Sequence, residues 1–321
     1  MAFINSQLKK NTALSSTSLK KNPTIFNTFK RDYQLWILIL PAIVTVLIFN
    51  YIPMYGIQLA FREYSFTEGI TGGEWVGLKY FAQFIESHMF TDLIRNTLVL
   101  SVVTILVGFP APIILALLIN QIAFKRTKKV IQTTVYLPHF ISTVVLVGLL
   151  NVLLSPNSGI IGHFVGLLGL DINLLANTKT FVPVYVISDV WQHCGWNSII
   201  YLAALSSVDP QLYDSAKVDG ASKWQIIRNV EIPAIIPTII ILFILNMGSI
   251  ISTGFEKIFL MQNSLNIPVS EVIETYVYKI GIESSQFSFA AAIGLFNTLI
   301  NFALLVIVNQ IAKKFARISL W

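Results

Sequence analysis

Charge is scarce in this chain: acidic and basic residues together make up only 12% of its 321 residues, against roughly a quarter in an ordinary soluble domain. So little charge excludes water as the main solvent of the folded molecule. Cysteine is scarcer still. The single Cys194 excludes an intramolecular disulfide and supplies no thiolate cluster for a metal. Set in an apolar block, it reads as a buried, inert thiol. Chemical signatures are missing as well: there is no Ser-His-Asp motif, no metal-spaced set of His or Cys, and no GxxxxGK[ST] loop to cradle phosphates. These gaps argue against an enzyme, and any ATP has to be handled by another chain. A cleavable signal peptide does not fit either, because the first apolar block is too long for an h-region and lacks a small-residue cleavage site.

What the chain has in excess is apolar surface, at 55% of residues and a mean hydropathy of +0.70. The apolar residues gather into uncharged blocks of about twenty residues or more, the length needed to cross a bilayer as a helix. The blocks run over 35–61, 97–124, 130–154, 181–206, 235–255 and 289–312. They predict an all-α integral membrane protein with six transmembrane helices. Pro41, Pro53, Pro110, Pro112, Pro138 and Pro183 fall inside them and predict kinks, tolerated where neighbours re-satisfy the freed carbonyls.

Basic residues set the expected orientation. The segment 1–32, rich in Ser, Thr, Asn and Lys, reads as a flexible tail carrying Lys9, Lys10, Lys20, Lys21, Lys30 and Arg31. Lys125, Arg126, Lys128 and Lys129 mark the second loop, and Lys313, Lys314 and Arg317 the tail 313–321. All three are expected in the cytoplasm, with the transmembrane domain over 33–312 between them. The acidic first loop (Glu63, Glu68, Glu74, Glu86, Asp92) lies outside on this reading. That leaves the long loop 207–233 on the cytoplasmic side with nearly balanced charge.

Within that loop, Asp209-Pro210 starts a short helix through Asp219, Gly220 permits a turn, and a second helix over 221–230 is expected to stop before Pro233. Tyr213, Ala216, Trp224 and Ile227 give the pair an apolar surface where there is no lipid. The surface either docks a soluble partner or packs on its own bundle. The run DSAKVDGASKWQIIRNVEIP over 214–233 resembles the Glu-Ala-Ala loop of binding-protein-dependent ABC importer permeases. The resemblance implies that Asp214, Ser215, Ala216, Asp219, Gly220, Ala221, Trp224 and Pro233 belong to a coupling loop seated in a groove of an ATPase subunit. Asp214 stands where the family has Glu and Ser215 where it has Ala, which keeps charge and size but shortens the carboxylate's reach.

A second likeness covers nearly the whole chain. YIPMYGIQLAF over 51–61 followed by WVGLKYF over 75–81 resembles the polysaccharide-type permeases of the LplB-like group, related to the maltose-type permeases. The fold implied is a type I ABC importer permease bundle with both termini cytoplasmic. The implied partners are a second homologous permease, two cytoplasmic ATPase subunits that hold the ATP and Mg, an extracytoplasmic solute-binding protein and an oligosaccharide. This chain itself is expected to bind no cofactor and no nucleic acid.

One stripe inside the membrane is polar. Asp189, Gln192, His193 and Trp196 recur at i, i+3, i+4 and i+7, on one helical face. Intramembrane charge is costly, so such residues face a cavity or a partner rather than lipid. Hydrogen-bonding groups beside an indole suit a sugar path, whereas interhelical pairing of Asp189 with His193 is the plainer alternative. Asn246, Ser249 and Thr253 at helical spacing are candidates for the opposite wall, a position that the maltose-type likeness also implies. Tyr51, Tyr55 and Trp191 read as interfacial or packing aromatics, and the glycine-rich 159–170 as a surface segment too short to cross. The rival function is a proton-coupled secondary transporter using Asp189 and His193. It leaves the loop 207–233 unexplained and would favour an internal repeat that the sequence does not show.

Overall fold

The structure, a computed structural model, describes residues 33–156, 158–167, 173–248 and 254–316. The expected tail 1–32 and most of 313–321 lie outside the described residues. Every regular element among those described is helical. The chain divides into two compact units, residues 1–56 and 57–321. The first holds most of the apolar stretch α1 (Tyr33–Phe61), which is long and apolar enough to cross a membrane and carries Pro41 inside the helix.

The second unit holds α2 (Lys79–Glu86), α3 (Phe90–Asn120), α4 (Lys125–Phe140), α5 (Thr143–Leu153), α6 (Ile160–Leu167), α7 (Thr178–Ser206), α8 (Pro210–Val218), α9 (Lys223–Met247), α10 (Phe255–Met261), α11 (Ile273–Tyr278) and α12 (Phe287–Ala316). By length and apolarity α3, α9 and α12 join α1 as membrane-crossing candidates, and α4 with α5 forms a broken one bent by 97°. At 29 residues, α7 is about 43 Å long at 1.5 Å per residue and reaches across easily. Its polar residues Ser188, Asp189, Gln192, His193, Asn197 and Ser198 dilute its hydropathy below that of the others.

Several boundaries differ from the sequence reading: the expected span 235–255 already ends at Met247, and 130–154 is part of the bent pair α4 and α5. Helix α3 starts at Phe90 rather than near residue 97, because Thr91, Asp92, Arg95 and Asn96 are accommodated in its first turns. Asp92 sits in the first turn, where negative charge favours a helix N-terminus, and buried Asn96 donates to the Pro268 and Glu271 carbonyls at 3.0 and 3.1 Å. The second loop helix does not stop before Pro233 either. It starts at Lys223, widens into a π-helical segment Ile227–Glu231 and continues as one rod to Met247. Pro233 falls in the first turn after the wide segment, where a missing N–H is tolerated.

The packing gives the run directions. Leu100 of α3 packs with Phe181 and Tyr185 of α7 in one core cluster, and Ala116, Leu117 and Ile119 of α3 pack with Tyr201, Leu202 and Leu205 of α7 in a second. Helices α3 and α7 therefore run parallel. Ile227 and Ile235 near the start of α9 join the second cluster, so α9 begins at the end where α7 finishes. A third cluster joins Phe84 of α2, Leu93 of α3, Ile273 of α11 and Phe289 and Ile293 of α12. Helix α7 is central, with α3, α4 and α9 packed against it. Gly195 is required there: a Cβ on it would run into the Val135 carbonyl of α4. The segment between α9 and α12 is held by buried polar groups. Asn266, with no exposure, donates to the carbonyls of Leu175 at 2.8 Å and Met261 at 3.0 Å.

Candidate functional site

Midway along α7, between its two core clusters, lies a cavity of about 210 Å³. Its walls come from three helices: Thr104 to Pro112 of α3, Asp189, His193, Asn197 and Tyr201 of α7, and Leu242 and Asn246 of α9. The structure thus brings Asp189, His193 and Asn246 to one cavity. Asn246 also donates to the Leu242 carbonyl at 2.8 Å. Ser249 and Thr253 lie outside the described residues.

The other half of the expected stripe faces elsewhere. Gln192, 4% exposed, donates from Nε2 to the Ile141 carbonyl at 2.8 Å. That carbonyl sits at the bend between α4 and α5, after the short 3-10 turn Leu137–Phe140. Trp196 stacks flat on His139, with centroids 4.5 Å apart and planes within 5°, and meets Phe140 edge-on. Neither lines the cavity. The four residues share a helix face in projection, but a face spans enough arc that Gln192 and Trp196 turn to the bent helix while Asp189 and His193 turn to the cavity. Trp191, 52% exposed, is a surface aromatic.

Asp189 has two partners. Its Oδ1 lies 3.4 Å from His193 Nδ1 and 3.4 Å from Lys257 Nζ of α10. Lys257 is 5% exposed, donates to the Tyr185 carbonyl at 3.1 Å and lies 4.6 Å from the Tyr185 ring centroid. Sequence spacing gives no hint of this partner, which is 68 positions away. Its one visible signal is a lysine beside a long apolar stretch. Asn197 on the cavity wall was also missed, although it is one turn beyond His193 on the same helix.

At the far end of the bundle, the loop 207–233 folds by local rules. Asp209 caps α8 by accepting from Gln211 N at 2.9 Å, and Pro210 takes the first turn. The helix then closes in a Schellman arrangement: Gly220 N donates to the Lys217 carbonyl at 3.0 Å and Ala221 N to the Ala216 carbonyl at 2.9 Å. Gly220 has φ +73°, a left-handed conformation that costs other residues roughly 1–2 kcal/mol. Ser222 and Gln225 complete a capping box that starts α9. The result is an exposed hinge between two rigid ends.

Asp214, Ser215, Asp219 and Gly220 are exposed and Ala216 and Ala221 half-buried. Asp214 pairs with Lys217 at 3.3 Å. Trp224, Val218 and Leu212 present apolar surface, at 67%, 87% and 51% exposure. Two residues expected on that surface are not there. Ile227 is buried in the core, and Tyr213 turns inward toward Glu231. Both sit on the loop's inner side, a distinction that needs the direction in which the hinge folds back.

Residues 108–317 match the family of binding-protein-dependent transport system inner membrane components. The chain belongs to that family. As a member it is a membrane permease component. Among curated relatives it is 40% identical, over 92% of both chains, to the polygalacturonan/rhamnogalacturonan transport system permease protein YteP of Bacillus subtilis. It is 41% identical to the protein LplB of the same organism, over 89% of this chain and 90% of that one. Two solved structures share the fold at a TM-score of 0.83 and 38% identity. One is a bacterial ABC transporter involved in the import of the acidic polysaccharide alginate, matched over 90% of this chain and 98% of the neighbour. The other is a bacterial alginate ABC transporter in complex with an alginate pentasaccharide-bound periplasmic protein, matched over 92% and 99%.

Proposed function

We propose that this chain is one of two permease subunits of an ATP-driven importer that takes up oligosaccharides or polysaccharide fragments delivered by an extracytoplasmic solute-binding protein. On this reading α1, α3, the bent pair α4 and α5, α7, α9 and α12 are six membrane spans, with both termini cytoplasmic and the ATP and Mg held by two partner ATPase subunits. The observation that carries it is the exposed hinge of the 207–233 loop. An acid, two small residues and a left-handed glycine present Leu212, Val218 and Trp224 to the outside of the bundle, and the same backbone runs unbroken into a cavity wall. ATPase closure would push on α8, and α9 would carry that displacement to Leu242 and Asn246.

The printed substrates of the relatives support the sugar class, because YteP is named for polygalacturonan and rhamnogalacturonan and both structural neighbours for alginate. The cavity's size fits a half-site. Pockets for drug-sized ligands run to about 300–1,000 Å³, so 210 Å³ in this chain leaves room for a second permease to complete the path. Asp189, His193 and Asn246 supply polar groups on this half.

The test is to purify the chain gently from its native membrane and identify what accompanies it, alongside a Gly220→Trp variant. The expected result is co-purification of an ATPase and a second permease, with the ATPase and uptake lost in the variant while the protein still reaches the membrane. If the chain emerges alone and moves solute in vesicles without ATP, the proton-coupled alternative built on Asp189 and His193 takes over.

A further inference from the structure

Beneath the exposed hinge lies a carboxylate with no solvent exposure, Glu231, the last residue of the π-helical segment of α9. Its Oε1 accepts from Asn120 Nδ2 at 2.6 Å and Gln121 Nε2 at 2.9 Å, both at the C-terminal end of α3. It also accepts from the Tyr213 hydroxyl of α8 at 3.4 Å. Asn120 Oδ1 in turn accepts from Lys128 Nζ of α4 at 3.3 Å, and Asn120 Nδ2 lies 3.5 Å from the Tyr213 hydroxyl. Helices α3 and α9 and the loop helix α8 meet at the Glu231 carboxylate, and α4 joins them through Asn120.

Packing alone does not ask for this residue. Burying a carboxylate is expensive, and an apolar side chain of similar volume commonly serves stability as well or better. Moreover, Glu231 Oε2 is buried with no hydrogen-bond partner among the described residues, a further cost for an acceptor taken out of water. What a shared acceptor provides and an apolar contact does not is a fixed register, since hydrogen bonds have direction and apolar surfaces slide. Burial, and the Glu231 charge beside it, push the Tyr213 phenol above its ordinary pKa, so Tyr213 stays a donor.

The consequence is mechanical. Helices α7 and α9 are joined to the loop through the chain, but α3 is not, although Thr104 to Pro112 of α3 form a wall of the cavity. We propose that Glu231 is the positioning residue that ties α3 to the coupling helix α8, so that all three cavity walls follow the loop together. The proposal rests on the reading of 207–233 as the ATPase-coupling loop.

The test uses the importer purified with its partner chains, in a Cys194→Ser background, with spin labels at Gln211→Cys on α8 and Leu106→Cys on α3, where Leu106 is 68% exposed. The label separation is measured without nucleotide and with ATP and vanadate. With native Glu231 the separation is expected to stay fixed. In Glu231→Ala and Tyr213→Phe it shifts by about 2 Å, the scale of helix slides at packed interfaces, and in Glu231→Gln, which keeps the accepting oxygen, it stays fixed. Tyr213→Phe leaves Glu231 held by α3 and removes only the link to α8, so the test survives if Glu231→Ala fails to fold. A fixed separation in Tyr213→Phe and in any folded Glu231→Ala overturns the proposal. Loss of the ATPase or its nucleotide response in the otherwise native complex would count against the coupling reading itself, which the Gly220→Trp comparison judges separately.

Discussion

A lysine 5% exposed inside an apolar bundle is tolerable because Asp189 and the Tyr185 carbonyl share its proton-bearing head. Removing one member of such a pair leaves the other charge uncompensated, at a cost of about 3 kcal/mol, the low end for buried pairs because Asp189 keeps a quarter of its side chain exposed. Lys257→Met and Asp189→Asn are each expected to lower the thermal midpoint in detergent, and the double variant to recover most of the loss. A double variant as unstable as the sum of the singles would dismiss the pair. The sequence made Asp189 conspicuous as an intramembrane acid, because its local context is apolar. It left the pairing with Lys257 hidden, because that pairing depends on how α10 folds back on α7, and no spacing rule reaches across 68 positions.

At the scale of elements, the bend between α4 and α5 shows the limit of proline as a signal. Pro138 marks an interruption, but a 97° turn also needs Ser142 to cap α5, accepting from Val145 N at 3.4 Å, and Gln192 to satisfy the Ile141 carbonyl from another helix. Gln192→Leu is therefore expected to cost about 1–3 kcal/mol for an unmade buried hydrogen bond. In sugar uptake the maximal rate should fall while KM stays put. A severalfold rise in KM with unchanged stability would return Gln192 to the sugar path. The loop was far more legible than the bend. Asp209, Gly220 and Ser222 act within four residues of themselves, so its two helices and hinge follow from local capping rules. Pro233 misled because its tolerance depends on a π segment, which no local propensity announces.

Taken whole, the bundle has α3 and α7 parallel and α9 starting where α7 ends, which agrees with an odd number of crossings between α3 and α7. The proposed sidedness can be read chemically in a Cys194→Ser background. Glu68→Cys should react with an impermeant maleimide in intact cells, while Arg126→Cys and Gln211→Cys should react only after the membrane is opened. The reverse pattern would invert the topology. Apolar block lengths made the membrane-crossing candidates readable, because bilayer thickness acts on short windows, and basic flanks supply the proposed sidedness. The cavity was only partly readable, since its walls are set by contacts between distant helices.

The π-helical segment Ile227–Glu231 also fixes an angle. A π turn holds one residue more than the α turn it interrupts, and one residue is about 100° of rotation around a helix axis. The hinge carrying Trp224 and the wall carrying Asn246 lie on opposite sides of that segment, on one rod. The width of the turn thus absorbs the extra residue, and the two faces keep their alignment. If the segment tightened to regular α-helix with all its residues retained, the hinge would swing by roughly a quarter turn against the cavity, whereas deleting Asn229 would let the rod close into α-helix with both faces still aligned.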